Sequence, residues 1–131
     1  MNLKGVKVLE NEANAWLRNR HSSMQIDDYQ KNAKSTAIYA TEHKILYPAL
    51  GLAGEAGEVA NKVKKIMRDG VYKQPKDWKE QLSAEIGDVL WYCAVLADDI
   101  GMSLGTIAAQ NIEKLERRKM KGTLRGSGDK R

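Results

Sequence analysis

Apolar side chains recur every three to four residues along most of this chain, and no stretch alternates with the period of two that a half-buried strand requires. The spacing predicts helices throughout. The strongest stripe runs from about Tyr47 to Arg68, with Leu52, Val59, Val63 and Ile66 on one side. Another runs from about Trp78 to Ile100, through Leu82, Ile86, Val89, Cys93 and Ile100. Leu104, Ile107, Ala108, Ile112 and Leu115 mark a further helix from Leu104 to about Met120. Two weaker patterns precede these. Residues 5–19 carry Val6, Val8, Leu9, Ala13, Trp16 and Leu17, and a segment ending near Ala40 carries only Tyr29, Ala33, Ala37 and Ile38, the thin face of an edge helix.

Residues that start and stop helices divide the chain at matching places. Asp27 or Asp28 suits an N-cap for the edge helix, Asp77 one for the helix from Trp78, and Ser103 one for the last. Pro48 fits a first helical turn, where a missing N–H is harmless. Gly70 and Gly101 suit the left-handed position after a helix. The expected architecture is all-α, a bundle of about five helices with a four-helix core. Residues 1–121 form one domain, followed by a flexible, basic, Gly-rich tail at 122–131.

Composition narrows the setting. A chain of 131 residues, 42% hydrophobic and 30% charged, is large enough for one core. It has no apolar run of membrane-spanning length and no signal-peptide core after Met1, so a cytoplasmic location without a membrane partner is expected. Cys93 is alone, which excludes an intrachain disulfide. Of the net charge of +5, the segment from Arg117 to Arg131 carries +6, with seven Lys/Arg and only Asp129 against them; the remainder stands at −1. A near-neutral body with a basic tail suits nucleic acid, a phosphorylated small ligand or simple solvation.

The chemistry concentrates in two acidic pairs, Glu55 with Glu58 and Glu85 with Asp88. Each has i,i+3 spacing and borders an apolar stripe, so two helices sharing one core bring four carboxylates to their interface. Such a group repels itself unless a cation sits among it. All-oxygen ligands suit Mg²⁺, with Mn²⁺ as a substitute, rather than zinc. Neither His21 nor His43 stands in a Glu-x-x-His arrangement on these helices, and no phosphate loop or nucleophile elbow is present. Lys62 and Lys65 continue the stripe of the first pair, and Tyr92 extends that of the second by one turn. Asn111, Lys114 and Arg118 form a polar stripe on the last helix. Gln30 and Asn32 could read a base edge, although amides on an edge helix usually face water.

Glu55-x-x-Glu58, a spacer of 26 residues, and Glu85-x-x-Asp88 together resemble the signature of the MazG-like nucleoside triphosphate pyrophosphohydrolases, of the all-α NTP pyrophosphatase superfamily. The likeness extends to Leu50–Val59, Glu85–Tyr92 and Asn111–Leu115, and covers roughly residues 27–121. One departure is Gly54, standing where the family's first motif often has a further acid; it bears on metal number and ligand set. The resemblance implies a helical bundle assembled as a homodimer or homotetramer. The implied reaction cleaves an NTP or dNTP to the monophosphate and pyrophosphate, for nucleotide-pool control or house-cleaning. Glu55, Glu58, Glu85 and Asp88 would hold the metal, with Glu55 or Glu58 as the base towards water. Asn111 and Lys114 match substrate-contacting positions of the family. Lys62, Lys65, Tyr92 and Arg118 join them from their stripes, and Arg125, Lys130 or Arg131 from the tail.

Two other readings compete. A non-catalytic nucleotide sensor would keep the fold without turnover, although all four acids are present. A helical nucleic-acid-binding module would use the basic tail and show salt-dependent binding, but it leaves the inward carboxylates without a purpose, so nucleic acid is not the expected partner.

Overall fold

The computed structural model describes Lys7 and residues 24–130. The helix expected over residues 5–19 lies outside the described residues. Four α-helices follow in order: α1 (Ile26–Ser35), α2 (Leu46–Asp69), α3 (Trp78–Asp99) and α4 (Leu104–Met120). Single 3₁₀ turns at Thr41–His43 and Val71–Lys73 lead into and out of α2. The described residues contain no strand, so the fold is all-helical. Among the described residues no single helix is long and apolar enough to cross a membrane.

The two longest helices, α2 and α3, form an antiparallel hairpin. Its register is visible in side-chain contacts, since Tyr92 lies on Gly51 and Glu85 meets Lys62 across it. The buried core sits towards the end of this hairpin, where Ala33 of α1 meets Ala94, Val95 and Ala97 of α3 and Leu104 of α4. Tyr29, Tyr39, Trp91, Tyr92, Cys93 and Ile107 pack around it. Cys93 is half-buried there, and burial pushes its thiol above the ordinary value.

Several breaks fall where the sequence placed them. Gly70 (φ 83°) closes α2, its N–H donating to Ile66. At the end of α3, Gly101 (φ 73°) donates to Asp98 O and Met102 to Ala97 O, the paired bonds of a Schellman motif that only a left-handed residue permits. Ser103 caps α4 by accepting from the Thr106 N–H at 3.0 Å.

α1 departs from expectation at both ends. It begins at Ile26 after Gln25, which makes no side-chain cap bond. Asp27 is occupied elsewhere, accepting from the Gly105 N–H at 2.8 Å and so capping the neighbouring α4. The helix stops at Ser35 rather than near Ala40. Thr36 Oγ1 donates back to Ala33 O at 2.7 Å and accepts from Trp91 Nε1 at 2.8 Å, an alternative to continuing the helix. Gln30 is buried rather than turned to water. Its Nε2 donates to Ala94 O at 3.2 Å and Met102 O at 2.9 Å, and its Oε1 accepts from the Leu104 N–H at 2.8 Å.

Two apolar stripes are only partly covered. Ile86 is 53% exposed and Ile112 59%, although both were expected to face the core. Among the described residues, α1 and α4 pack against one end of the hairpin, and no described helix covers the outward part of each stripe. The entry to α2 is tight: Ile45 takes φ 66°, with Leu46 N–H on Lys44 O at 2.7 Å, a γ-turn that a β-branched residue adopts only when held. The holding group is Asp99 at the far end of α3, which accepts from the Ile45 N–H and the Tyr39 hydroxyl, both at 2.9 Å.

Candidate metal centre

Halfway along the hairpin, carboxylate oxygens of Glu55 on α2 and of Glu85 and Asp88 on α3 all lie within 4.8 Å of one another. Antiparallel pairing makes this possible, because Glu55 faces α3 at the level where the i,i+3 pair of α3 projects back. Glu55 and Glu85 are half-buried and Asp88 is exposed. The Glu55 carboxyl is pushed above its ordinary value, first by desolvation and then by the charges of Asp88, Glu85 and Glu58. Lys62 supplies one counter-charge, its Nζ standing 3.2 Å from Glu85 Oε1.

Glu58 lies outside this group of three. Three residues advance a helix by about 300°, so its Cα sits about 60° round from that of Glu55. It is exposed in an open depression with Gly54, Gly57, Asn61 and Lys64, yet near enough for its charge to reach Glu55. The sequence placed four carboxylates at one interface; the structure brings three together and sets the fourth at their edge.

Tyr92 continues the α3 stripe beyond Asp88. A Cβ added at Gly51 would fall 2.1 Å from Tyr92 Cε1, so glycine here is what lets the ring lie on the α2 backbone. The Tyr92 ring meets Trp91 edge-on at 4.9 Å and Tyr47 at 6.5 Å, and Tyr47 stacks on Tyr39 at 4.9 Å. Burial raises the Tyr92 phenol, with further contributions from Tyr47 and from the charges of Glu55 and Asp88. An aromatic row therefore abuts one end of the carboxylates. At the other end, Lys62 and Lys65 line a cavity together with Trp78.

The remaining candidates are placed differently. Asn111 is exposed and Lys114 half-buried on α4, and among the described residues no hydrogen bond or ion pair joins either to the carboxylates. Arg118 is turned into the fold and only 6% exposed. Its guanidinium donates to Asp129 O at 3.0 Å and lies 3.6 Å from the Asp129 carboxylate, so it holds the tail against α4, while its Nε has no partner among the described residues. Arg125 is exposed in that tail. Sequence reasoning missed Lys62 as the partner of Glu85 and Asp99 as the anchor of the α2 entry. The i+4 spacing of Lys62 from Glu58 was the one signal for the former; nothing local marked the latter.

The sequence that builds three close carboxylates, a flanking lysine and an aromatic row is similar to known proteins. A model of the MazG nucleotide pyrophosphohydrolase domain matches residues 43–123, the span from the α2 entry to the end of α4. The chain is also 46% identical over 116 residues to the Gene 37 protein of Mycobacterium phage L5, an alignment covering 82% of this chain and all of the phage protein. No solved structure matches. The matched span contains all four acids and the hairpin that presents them, and the chain belongs to the MazG nucleotide pyrophosphohydrolase family.

Proposed function

We propose that this chain hydrolyses a nucleoside or deoxynucleoside triphosphate to the monophosphate and pyrophosphate, with Mg²⁺ as the required cation and Mn²⁺ as a substitute. The observation that carries the reading is the convergence of Glu55, Glu85 and Asp88 within 4.8 Å. Anions held this close, with one carboxyl already pushed up, form an all-oxygen donor set that fits a hard divalent cation. These three would hold the metal, which neutralises phosphate charge when bound.

Glu58 is the acid left at the edge of that group, and we assign it the general base. It orients a water and accepts its proton as the water oxygen bonds to the α-phosphorus. The bond from that phosphorus to the bridging oxygen breaks, and pyrophosphate leaves with the electron pair. Lysine ammonium groups at Lys62 and Lys65 face the non-bridging oxygens, where negative charge concentrates. Tyr92 and its aromatic neighbours receive the nucleoside end by stacking.

Asn111, Lys114 and Arg125 complete the substrate contacts in an assembled homodimer or homotetramer. The assembly reading is supported by apolar side chains left open on the hairpin and α4, with Leu50 65%, Ile86 53% and Ile112 59% exposed. Arg118 contributes by holding the tail that carries Arg125.

The test is pyrophosphate release from a panel of NTPs and dNTPs with Mg²⁺, Mn²⁺ or EDTA. Metal-dependent pyrophosphate from at least one nucleotide is expected. Orthophosphate in its place would mean cleavage at a different bond, and no release from any nucleotide would favour a sensor.

A further inference from the structure

A cavity of about 180 Å³ opens between the C-terminal half of α2, the turn after Val71–Lys73 and the start of α3. Its charged lining is Lys62 and Lys65, its polar lining Gln74 and Gln81, and Trp78 forms one wall. Among the described residues no carboxylate lines it directly, although Glu85 pairs with Lys62 and Asp77 accepts from Gln81 Nε2 at its edge. Lys62 is shared with the metal centre through Glu85, while among the described residues Lys65 has no carboxylate partner. Helical side chains lean towards the N-terminus of their helix, so Lys65 leans back towards the acids. Gln74 donates one amide hydrogen to Gly70 O at 3.1 Å and has a second to offer. Trp78 is a poor platform for a base, because the Lys79 ammonium stands 5.7 Å from its ring centroid and covers one face.

A half-open cleft with an unpaired ammonium at Lys65, a second at Lys62 shared with Glu85, and a spare amide N–H at Gln74 favours an anion over a neutral ring. We propose that this cavity receives the pyrophosphoryl end of the substrate and retains inorganic pyrophosphate as product, an assignment that rests on the hydrolysis reading above. It fixes a direction for the substrate along the hairpin. The triphosphate end points towards Lys65, about 15 Å along α2 from Glu55, and the nucleoside end towards Tyr92 and Tyr47. Gln74 becomes a further substrate-contacting residue, and accumulated pyrophosphate becomes an inhibitor competing at Lys65.

The test is calorimetric titration of the full chain in EDTA, with sodium pyrophosphate in one arm and phosphate-free nucleosides in the other. Lys65→Ala and Gln74→Ala are compared with Lys64→Ala, which removes the same charge from the Glu58 side of α2. Pyrophosphate is expected to bind wild type without metal, to weaken at least about tenfold in Lys65→Ala and severalfold in Gln74→Ala, and to be unaltered by Lys64→Ala. The proposal is overturned if pyrophosphate fails to bind in EDTA, if Lys64→Ala and Lys65→Ala weaken it equally, or if nucleosides bind in a Lys65-dependent way and pyrophosphate does not. Turnover with Mg²⁺ is measured separately. A protein that releases pyrophosphate yet binds it equally well as Lys65→Ala loses the pocket and keeps the reaction. One that binds pyrophosphate through Lys65 without turnover keeps the pocket and loses the reaction.

Discussion

Replacing Gly51 with alanine tests the packing of the hairpin at the carboxylates. Three glycines, Gly51, Gly54 and Gly57, lie in the interior of α2, and each is unfavourable by about 1 kcal/mol relative to alanine on helix propensity alone. Their surroundings differ. A Cβ at Gly54 or Gly57 would meet nothing within 4 Å, so Gly54→Ala and Gly57→Ala should each stabilise the chain by up to about 1 kcal/mol. A Cβ at Gly51 would lie 2.1, 2.3 and 2.7 Å from three atoms of the Tyr92 ring. That ring is pinned between Tyr47 and Trp91, so relief requires the hairpin to open or the aromatic row to shift. Overpacking of this kind costs about 1–3 kcal/mol; set against the propensity gain, Gly51→Ala should be neutral to about 2 kcal/mol less stable. Urea unfolding of the three variants side by side measures the difference directly, and pyrophosphate release reports whether displacing Tyr92 disturbs the site. Equal stabilisation at all three positions, with unaltered turnover, would refute both the Tyr92 placement and the hairpin register.

Gln30→Leu keeps the volume but leaves the Ala94 and Met102 carbonyls and the Leu104 N–H without their partner, so a loss of about 2–4 kcal/mol is expected by urea unfolding. Asp88→Asn should abolish pyrophosphate release while leaving the metal-free fold at least as stable, because it removes one of three mutually repelling charges. Mg²⁺ at ten times its dissociation constant should stabilise wild type by about 1.4 kcal/mol, and thermal unfolding of Asp88→Asn should lose that shift. Burial and the hydrogen bond to Asp99 push the Tyr39 phenol up to about 12 from 10.0, so the folded state keeps a proton that the unfolded chain releases first. The resulting stability is complete below pH 10 and lost as pH rises through about 12; Asp99→Asn should narrow that window, read by ultraviolet phenolate titration.

What the sequence made legible was local in origin. Periodicity over a long helix needs no partner to be read, and Gly70, Gly101 and Ser103 mark ends by backbone conformation or by a cap within three residues. The two acidic pairs were legible for the same reason. Long-range roles were hidden: Asp27 reads as a cap for the helix it begins, yet serves Gly105, 78 positions away. Gln30 has the chemistry of a surface amide and becomes a junction only because α1, α3 and α4 leave three backbone groups facing one point. The partial exposure of Ile86 and Ile112 was equally hidden, since a stripe shows which face is apolar and says nothing of what covers it.

Stability and chemistry are placed at different positions along the same hairpin. The buried residues gather where α1 and α4 meet the C-terminal half of α3, and the Asp99 bonds to Ile45 and Tyr39 fasten the start of α2 there. Beyond Gly51, among the described residues, the two long helices pack chiefly on each other, and Glu55, Glu85 and Asp88 sit on that stretch. Carboxylates in a fully enclosed core would carry a desolvation cost of several kcal/mol each. On a half-open hairpin they keep part of their hydration and stay open to solvent-borne ions. The cost of this placement is repulsion that α2–α3 packing must resist, relieved in part by Lys62 on Glu85. The site is therefore a part of the fold that a bound cation should strengthen, because the ligand supplies the charge the hairpin lacks.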